Sequence, residues 1–158
     1  MKFTPLALMF ALALAGCQQK AAAPAEANPD AKPGLTLSAG QLSMPAVKGN
    51  PGAAYFTLTN SGEAATLAAV SVAGAEKSEM HETTGGSMAT IAPLTLKAGE
   101  TVKFARGGKH IMVFGLDASI AAGNKAEITL IFADGDKLSA PLEVLAAGQV
   151  PMDHGDMH

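Results

Sequence analysis

Cysteine is nearly absent from this sequence, which has a single one, Cys17, in 158 residues. Beyond that residue the chain can form no disulfide, and it offers no thiolate as a metal ligand or as a nucleophile. Blue-copper electron-transfer sites need a cysteine thiolate, so that class of protein is excluded too. A domain without cysteine is suited to an oxidising compartment outside the cytoplasm.

Charge is also scarce, because Asp, Glu, Lys and Arg make up 16% of the chain and the formal net charge is −3. The 11 basic residues are spread thinly and form no basic patch, so nucleic-acid binding has no support. The sequence contains no Gly-x-Ser-x-Gly and no recognisable pairing of a histidine with a second carboxylate. An enzyme is therefore the less favoured class.

No hydrophobic run reaches the roughly 20 residues that a transmembrane helix needs. The amino-terminal apolar run, Leu6–Leu14, follows the basic start Met1-Lys2 and ends in Leu14-Ala15-Gly16-Cys17. This order is typical of a secretory signal that closes with a lipobox. Residues 1–16 are therefore predicted to be a lipoprotein signal peptide from a bacterium.

Cleavage before Cys17 would make that residue a lipid-carrying amino terminus, which anchors a chain to a bilayer without spanning it. The predicted location is the bacterial cell envelope, facing the periplasm. Gln18 stands where an Asp would indicate retention in the inner membrane, so the outer membrane is favoured. Loss of Lys2 leaves 10 basic against 14 acidic residues, a net charge of about −4.

Composition divides the remaining chain into three parts. Residues 17–34 carry the lipid and form an Ala/Pro-rich flexible tether, residues 35–147 form one domain, and residues 148–158 form a mobile Met/His tail. The domain consists of short β runs separated by Gly, Asn, Asp and Pro, with at most one helical turn at residues 118–122. This pattern predicts an all-β antiparallel sandwich or Greek-key barrel.

Every one of the four histidines has a methionine within two residues. In the run His110-Ile111-Met112 the histidine and the methionine point to the same face of a strand, since side chains alternate. His81 and Met88 flank a glycine-containing turn and could meet across a hairpin. Two imidazoles and two thioethers favour Cu(I) over hard cations such as Mg²⁺ and over zinc, which prefers thiolate, imidazole or carboxylate.

Simpler interpretations of these residues stay open. A methionine in a strand is usually a core residue, which is the favoured interpretation for Met44 and Met80. His81 alone could be a hydrogen-bonded surface residue. The tail is either a solvated chain end or a second metal site, and the acidic residues between its histidines and methionines favour Cu(II). The candidate tail ligands are Met152, His154, Met157 and His158.

Three segments resemble the PCuAC-type periplasmic copper chaperones over about residues 35–146: GAAYFTLTNSG, MHET and LKAGETVKFARGGKHIMVFGL. The family pattern is a histidine, a methionine, 21 residues and then His-x-Met, and 21 residues separate Met88 from His110 here. The family usually has ten residues between the first histidine and the methionine, and this chain has six. It also lacks the usual tryptophan near residue 40.

This resemblance implies a cupredoxin-like fold and a main Cu(I) site made of His81, Met88, His110 and Met112. It implies copper delivery to an acceptor, either the Cu(A) subunit of cytochrome c oxidase or another copper chaperone. It also implies a possible second Cu(II) site in the tail. The alternatives are a copper-storage or resistance lipoprotein without a delivery partner, and an envelope sandwich whose Met and His residues are incidental.

Overall fold

The structure, a computed structural model, describes residues 32–149. The predictions for the signal peptide, for Cys17 and for the tail ligands Met152, His154, Met157 and His158 lie outside these residues. The described part folds into the following strands: β1 (Leu35–Ser43), β2 (Gly52–Asn60), β3 (Ala65–Val72), β4 (Ala75–Thr84), β5 (Ser87–Thr90), β6 (Leu94–Leu96), β7 (Thr101–Phe104), β8 (Lys109–Leu116), β9 (Lys125–Phe132) and β10 (Lys137–Leu145).

The strands form one continuous sheet in the order β5-β4-β8-β7-β2-β1-β10-β9-β3-β6, with β8 also pairing with β2. β3 and β4 are far apart in this order, yet Ala73 and Gly74 alone join them. The sheet must therefore curl back on itself, and its inner face encloses the core. The all-β prediction is confirmed. Most pairings are antiparallel, but β1–β10 and β7–β8 are parallel, so the sheet is mixed.

Alternation along β2 shows how the sequence selects the inner face. Ala54, Phe56 and Leu58 are at most 2% exposed, whereas Tyr55 and its outward neighbours are only partly covered. The same period places Leu, Ile, Val and Phe side chains from the other long strands in the interior. The largest fully buried of them are Phe132, Leu42, Leu58, Leu67, Leu96, Ile111, Ile128, Leu130, Leu142, Val72 and Val113.

One predicted β run is divided in the structure. Among the short β runs of the sequence, SMATIAPL (residues 87–94) is predicted as one strand, but β5 ends at Thr90 and β6 begins at Leu94. Pro93 has no N–H to donate to a ladder, so a continuous strand is interrupted there. The two pieces become the opposite edges of the sheet, and all four residues of β5 are exposed.

The two ends of the described domain lie at opposite ends of the strands. The start of β1 pairs with the end of β2, where Leu35 lies opposite Asn60. Just before it, Lys32 forms ion pairs with Asp134 and with Asp136, the latter at 2.8 Å. The end of β10 lies instead beside the end of β1, where Leu145 pairs with Ser43.

A β-bulge in β1 corrects the phase of its hydrophobic pattern. Ser38 pairs with Thr57 and Gln41 with Tyr55, so β1 has one extra residue between these pairs. The extra residue lets Leu35 and Leu42, which differ in parity, both face the core. At the bulge, a Cβ on Gly40 would lie 2.6 Å from the Pro141 carbonyl oxygen, so only glycine fits without movement.

We expect Gly40→Ala to lower the free energy of unfolding by about 1–3 kcal/mol, because β1 and β10 would have to separate to admit a methyl group. Chemical denaturation would measure the loss. Gly62→Ala is the matched control, because its Cβ would meet no atom nearer than 3.5 Å. Equal stability of the two variants would contradict the assigned role of Gly40.

Candidate metal centre

The register between β4 and β8 brings two histidines face to face. His81 lies directly opposite His110, and their ring centroids are 6.1 Å apart with an interplanar angle of 36°. The next residues on the inner face, Met80 and Ile111, are 2% and 0% exposed. The imidazoles therefore stand on the outer face of a pair of strands whose inner side chains are locked in the core. Two imidazoles on one ion, each at about 2 Å, have a ring separation of this order.

His110 is held in a defined orientation by the turn that precedes β8. His110 is 7% exposed, and its Nδ1–H donates to the Gly108 carbonyl oxygen at 2.8 Å. The same carbonyl accepts the Thr83 backbone N–H at 3.2 Å, which ties the turn to β4. A carbonyl only accepts, so Nδ1 carries the proton and Nε2 keeps a free lone pair. Histidine ligands of metals are typically oriented in this way.

His81 has one partnered and one unpartnered ring nitrogen. Its side chain is 12% exposed, and Nε2 lies 3.4 Å from Oε2 of Glu79. Nδ1 is buried and has no hydrogen-bond partner among residues 32–149. An unpartnered buried polar atom costs about 1–3 kcal/mol. A ring nitrogen with an unused lone pair can coordinate a metal ion, so His81 fits a metal site.

Glu79 belongs to the same outer face, since it lies two residues before His81. Its carboxylate forms an ion pair with Lys77 at 2.7 Å as well as the contact with His81. Hydrogen bonds from Lys77 first, and from His81 second, hold the pKa of Glu79 below its ordinary value. The carboxylate is thus ionised at neutral pH and acts only as an acceptor.

Met112 carries an outward-facing thioether two residues after His110. It shares the outer face of β8 with His110, as the alternation predicts, and it lies opposite Glu79 on β4 and Ala53 on β2. Adjacent same-face residues of a strand are about 7 Å apart, which is within reach of a methionine side chain. The outer face of this strand pair therefore carries two successive residue pairs, His81 with His110 and Glu79 with Met112.

Met88 lies on the same face, opposite the next outward residue of β4 beyond His81 and on the other side of the histidine pair from Met112. The β4–β5 hairpin has a two-residue turn, Gly85-Gly86, closed by the pair Thr84 and Ser87. In the register that this turn sets, Met88 lies opposite Thr83 and Thr90 lies opposite His81. Strand spacings place Met88 about 16 Å from Met112, at the other corner of the face. Its side chain is 54% exposed.

The other methionines of the described domain are core residues, as predicted. Met80 is 2% exposed, and Met44 is partly buried against the core cluster. The interpretation of both as packing residues is confirmed.

Residues 32–149 contain no group of three or more His, Cys, Asp and Glu side chains arranged to hold a metal ion. A donor set here thus combines the two imidazoles with thioether sulfur. The same residues contain no helix that could cross a membrane.

The candidate ligands predicted from the sequence do not include two residues of this face, Glu79, which the sequence suggests only as a charge for partner recognition, and Thr90. Glu79 had a usable signal, because a residue two positions before His81 on a strand shares its face. Thr90 could be recognised only after the turn length was known, since one residue more or less in the turn changes every pair of the hairpin.

Comparison with solved structures defines the class of the fold. The copper-bound PCuAC domain from PmoF2 superposes with a TM-score of 0.61 at 20% identity, covering 72% of this chain and 93% of that one. The solution structure of CuI-DR1885 from Deinococcus radiodurans gives 0.55 at 29% identity, covering 77% and 81%. The predicted cupredoxin-like fold and the resemblance to PCuAC-type proteins are confirmed.

Comparison with sequences identifies the family. The chain belongs to the LpqE-like family, whose model, described as "Putative lipoprotein LpqE-like", matches residues 22–144. "Putative lipoprotein Lxx21020" from Leifsonia xyli subsp. xyli (strain CTCB07) is 40% identical over 82 residues. That match covers 49% of each protein, so the chain spans about half the length of this curated relative.

We expect Nδ1 of His110 to carry the proton in the neutral ring, because the Gly108 carbonyl oxygen accepts that proton. Long-range ¹H–¹⁵N correlation spectra of the protein without metal would show Nδ1 as the protonated nitrogen. A spectrum with Nε2 protonated would contradict the hydrogen bond to Gly108.

Proposed function

We propose that this protein is an extracytoplasmic copper chaperone whose cargo, Cu(I), is bound by His81, His110 and Met112. The observation that carries the proposal is the pair of facing imidazoles next to an outward thioether, with Nδ1 of His81 unpartnered among the described residues. The copper named in the descriptions of the PmoF2 and DR1885 structures supports the same ligand for this chain.

The chemistry of the donors selects monovalent copper. Thioether sulfur is soft and uncharged, so it gives no advantage to Mg²⁺ or Ca²⁺ and little to zinc. It needs no deprotonation and cannot be lost to a disulfide in an oxidising compartment. Neutral imidazole is equally available at physiological pH. The set therefore binds Cu(I) without placing a thiolate in an oxidising environment.

Release to a partner follows from the position of the site on an outer sheet face. The ligands stand on β4 and β8, one strand from the exposed edge β5. A partner can approach this face and replace the donors one at a time. Met88, exposed beyond His81 on the same face, is a further ligand that can bind copper during its arrival or departure.

We also propose a location and partners for this protein. Cys17 carries the lipid that holds the chain in the bacterial envelope, facing the periplasm, with the outer membrane favoured. The acceptor is the Cu(A) subunit of cytochrome c oxidase or another copper chaperone. Met152, His154, Met157 and His158 form a second site that prefers Cu(II). Transfer of copper from the loaded protein to an apo Cu(A) domain separates a chaperone from a storage protein.

Cu(I) titration against a competing chelator tests the main site. We expect the double variant His110→Ala with Met112→Ala to lose affinity by more than about 100-fold, since loss of two direct ligands should exceed the 10–100-fold effect of losing an outer partner. A chain ending at Ala147 should keep the tight site and lose only a weaker second equivalent. Unchanged Cu(I) affinity in the double variant would refute the site.

Single substitutions separate the two outward methionines. We expect Met112→Ala to weaken Cu(I) binding by at least about tenfold, and Met88→Ala by clearly less than tenfold, because Met112 lies two residues from His110 on β8, whereas Met88 lies two strands away from His110. Both variants should fold, since neither side chain is buried in the core. A larger loss for Met88→Ala would show that the hairpin closes over the ion and that the resting register is not the bound one.

A further inference from the structure

Glu79 makes a contact that an exposed ion pair with Lys77 does not explain. A surface carboxylate gains little from a lysine that is 63% exposed, and such pairs are typically worth less than about 1 kcal/mol. Yet the second oxygen of Glu79 is turned toward the imidazole of His81, at 3.4 Å from Nε2. The carboxylate therefore bridges a solvent-facing cation and a largely covered imidazole.

The two possible tautomers of His81 are not equivalent in these surroundings. With the proton on Nδ1, a buried N–H would lack an acceptor, and the Nε2 lone pair would face an ionised carboxylate. With the proton on Nε2, the N–H donates to Glu79 and the buried Nδ1 presents only a lone pair. Buried unpaired N–H groups are rarer than buried unpaired acceptors, so the second tautomer is the stable one.

From this we infer that Glu79 is a positioning residue that keeps the proton of His81 on Nε2 and thereby presents Nδ1 as the copper ligand. The inference rests on the proposed function for the identity of the metal. It makes the two imidazoles unlike: His81 binds through Nδ1 and His110 through Nε2. A carboxylate behind an imidazole also raises its basicity as a ligand.

The test compares Glu79→Ala and Glu79→Gln with Glu82→Ala. Glu82 is the matched control, because it lies on the same strand and pairs with Lys109 at 2.6 Å, but on the opposite face from the imidazoles. Two measurements are made on each full-length protein: ¹H–¹⁵N long-range spectra of His81 without metal, and Cu(I) affinity by chelator competition.

In the wild type we expect Nε2 of His81 to be protonated, and Cu(I) to shift the Nδ1 resonance of His81 and the Nε2 resonance of His110. Glu79→Ala should mix the tautomers of His81 and weaken Cu(I) binding by about 10–100-fold. Glu79→Gln should recover most of the affinity, because its amide oxygen still accepts the proton. Glu82→Ala should leave both measurements unchanged within about twofold.

The inference is overturned if His81 stays protonated on Nε2 in Glu79→Ala and the affinity changes by less than about twofold. It is equally overturned if Glu82→Ala has the same effect as Glu79→Ala, because the carboxylates would then act only through general stability or charge. The proposed function fails separately, if the wild type binds no Cu(I) at His110 and Met112. The tautomer measurement without metal still judges the role of Glu79 in that case.

Discussion

The cross-strand register of β4 and β8 is the constraint on which the candidate centre depends. A shift of either strand by one residue would turn its own imidazole inward and bring Met80 or Ile111 to the surface, since side chains alternate along each strand. Burial of Met80 and Ile111 at 2% and 0% exposure opposes such a shift. The hydrophobic core thus aligns the donors, although it contains none of them. Glu82 and Lys109 form the residue pair next to the two histidines, and their ion pair joins the same two strands.

The sequence predicts much of this fold because its hydrophobic alternation is regular. The outward direction of Tyr55, the inward direction of Phe56 and the shared face of His110 and Met112 all follow from period two. The parallel pairings do not follow, because alternation reports which face a residue occupies and says nothing about which strand is its neighbour. The bulge at Gly40 was likewise hidden: LTLSAGQLS looks like uniform alternation, but its two halves reach the core in different phase.

The candidate site shows the same division between parity and position. Parity correctly places His110 and Met112 on one face of β8. Position along the hairpin depends on the turn, and the closing pair of Thr84 with Ser87 puts Met88 opposite Thr83. Whether Met88 binds copper therefore stays a prediction, as do the tail ligands. Glu79 could have been included from the sequence, because a charged residue two positions from a histidine on a strand is its neighbour in space.

The opposite placement of the two chain ends has a consequence for how the domain is presented. The chain joins β1 at the pole where β2 finishes, and Lys32 braces that pole against Asp134 and Asp136. Met112 pairs with Ala53, which precedes Asn60 by seven residues in β2. The distance between Ala53 and Asn60 along the strand is about 23 Å. A surface to which the amino-terminal side of the domain is attached therefore lies far from the imidazoles. β10 ends instead beside Ser43, on the side of the domain that carries Met112. The two ends of the described domain therefore differ in their distance from the candidate site.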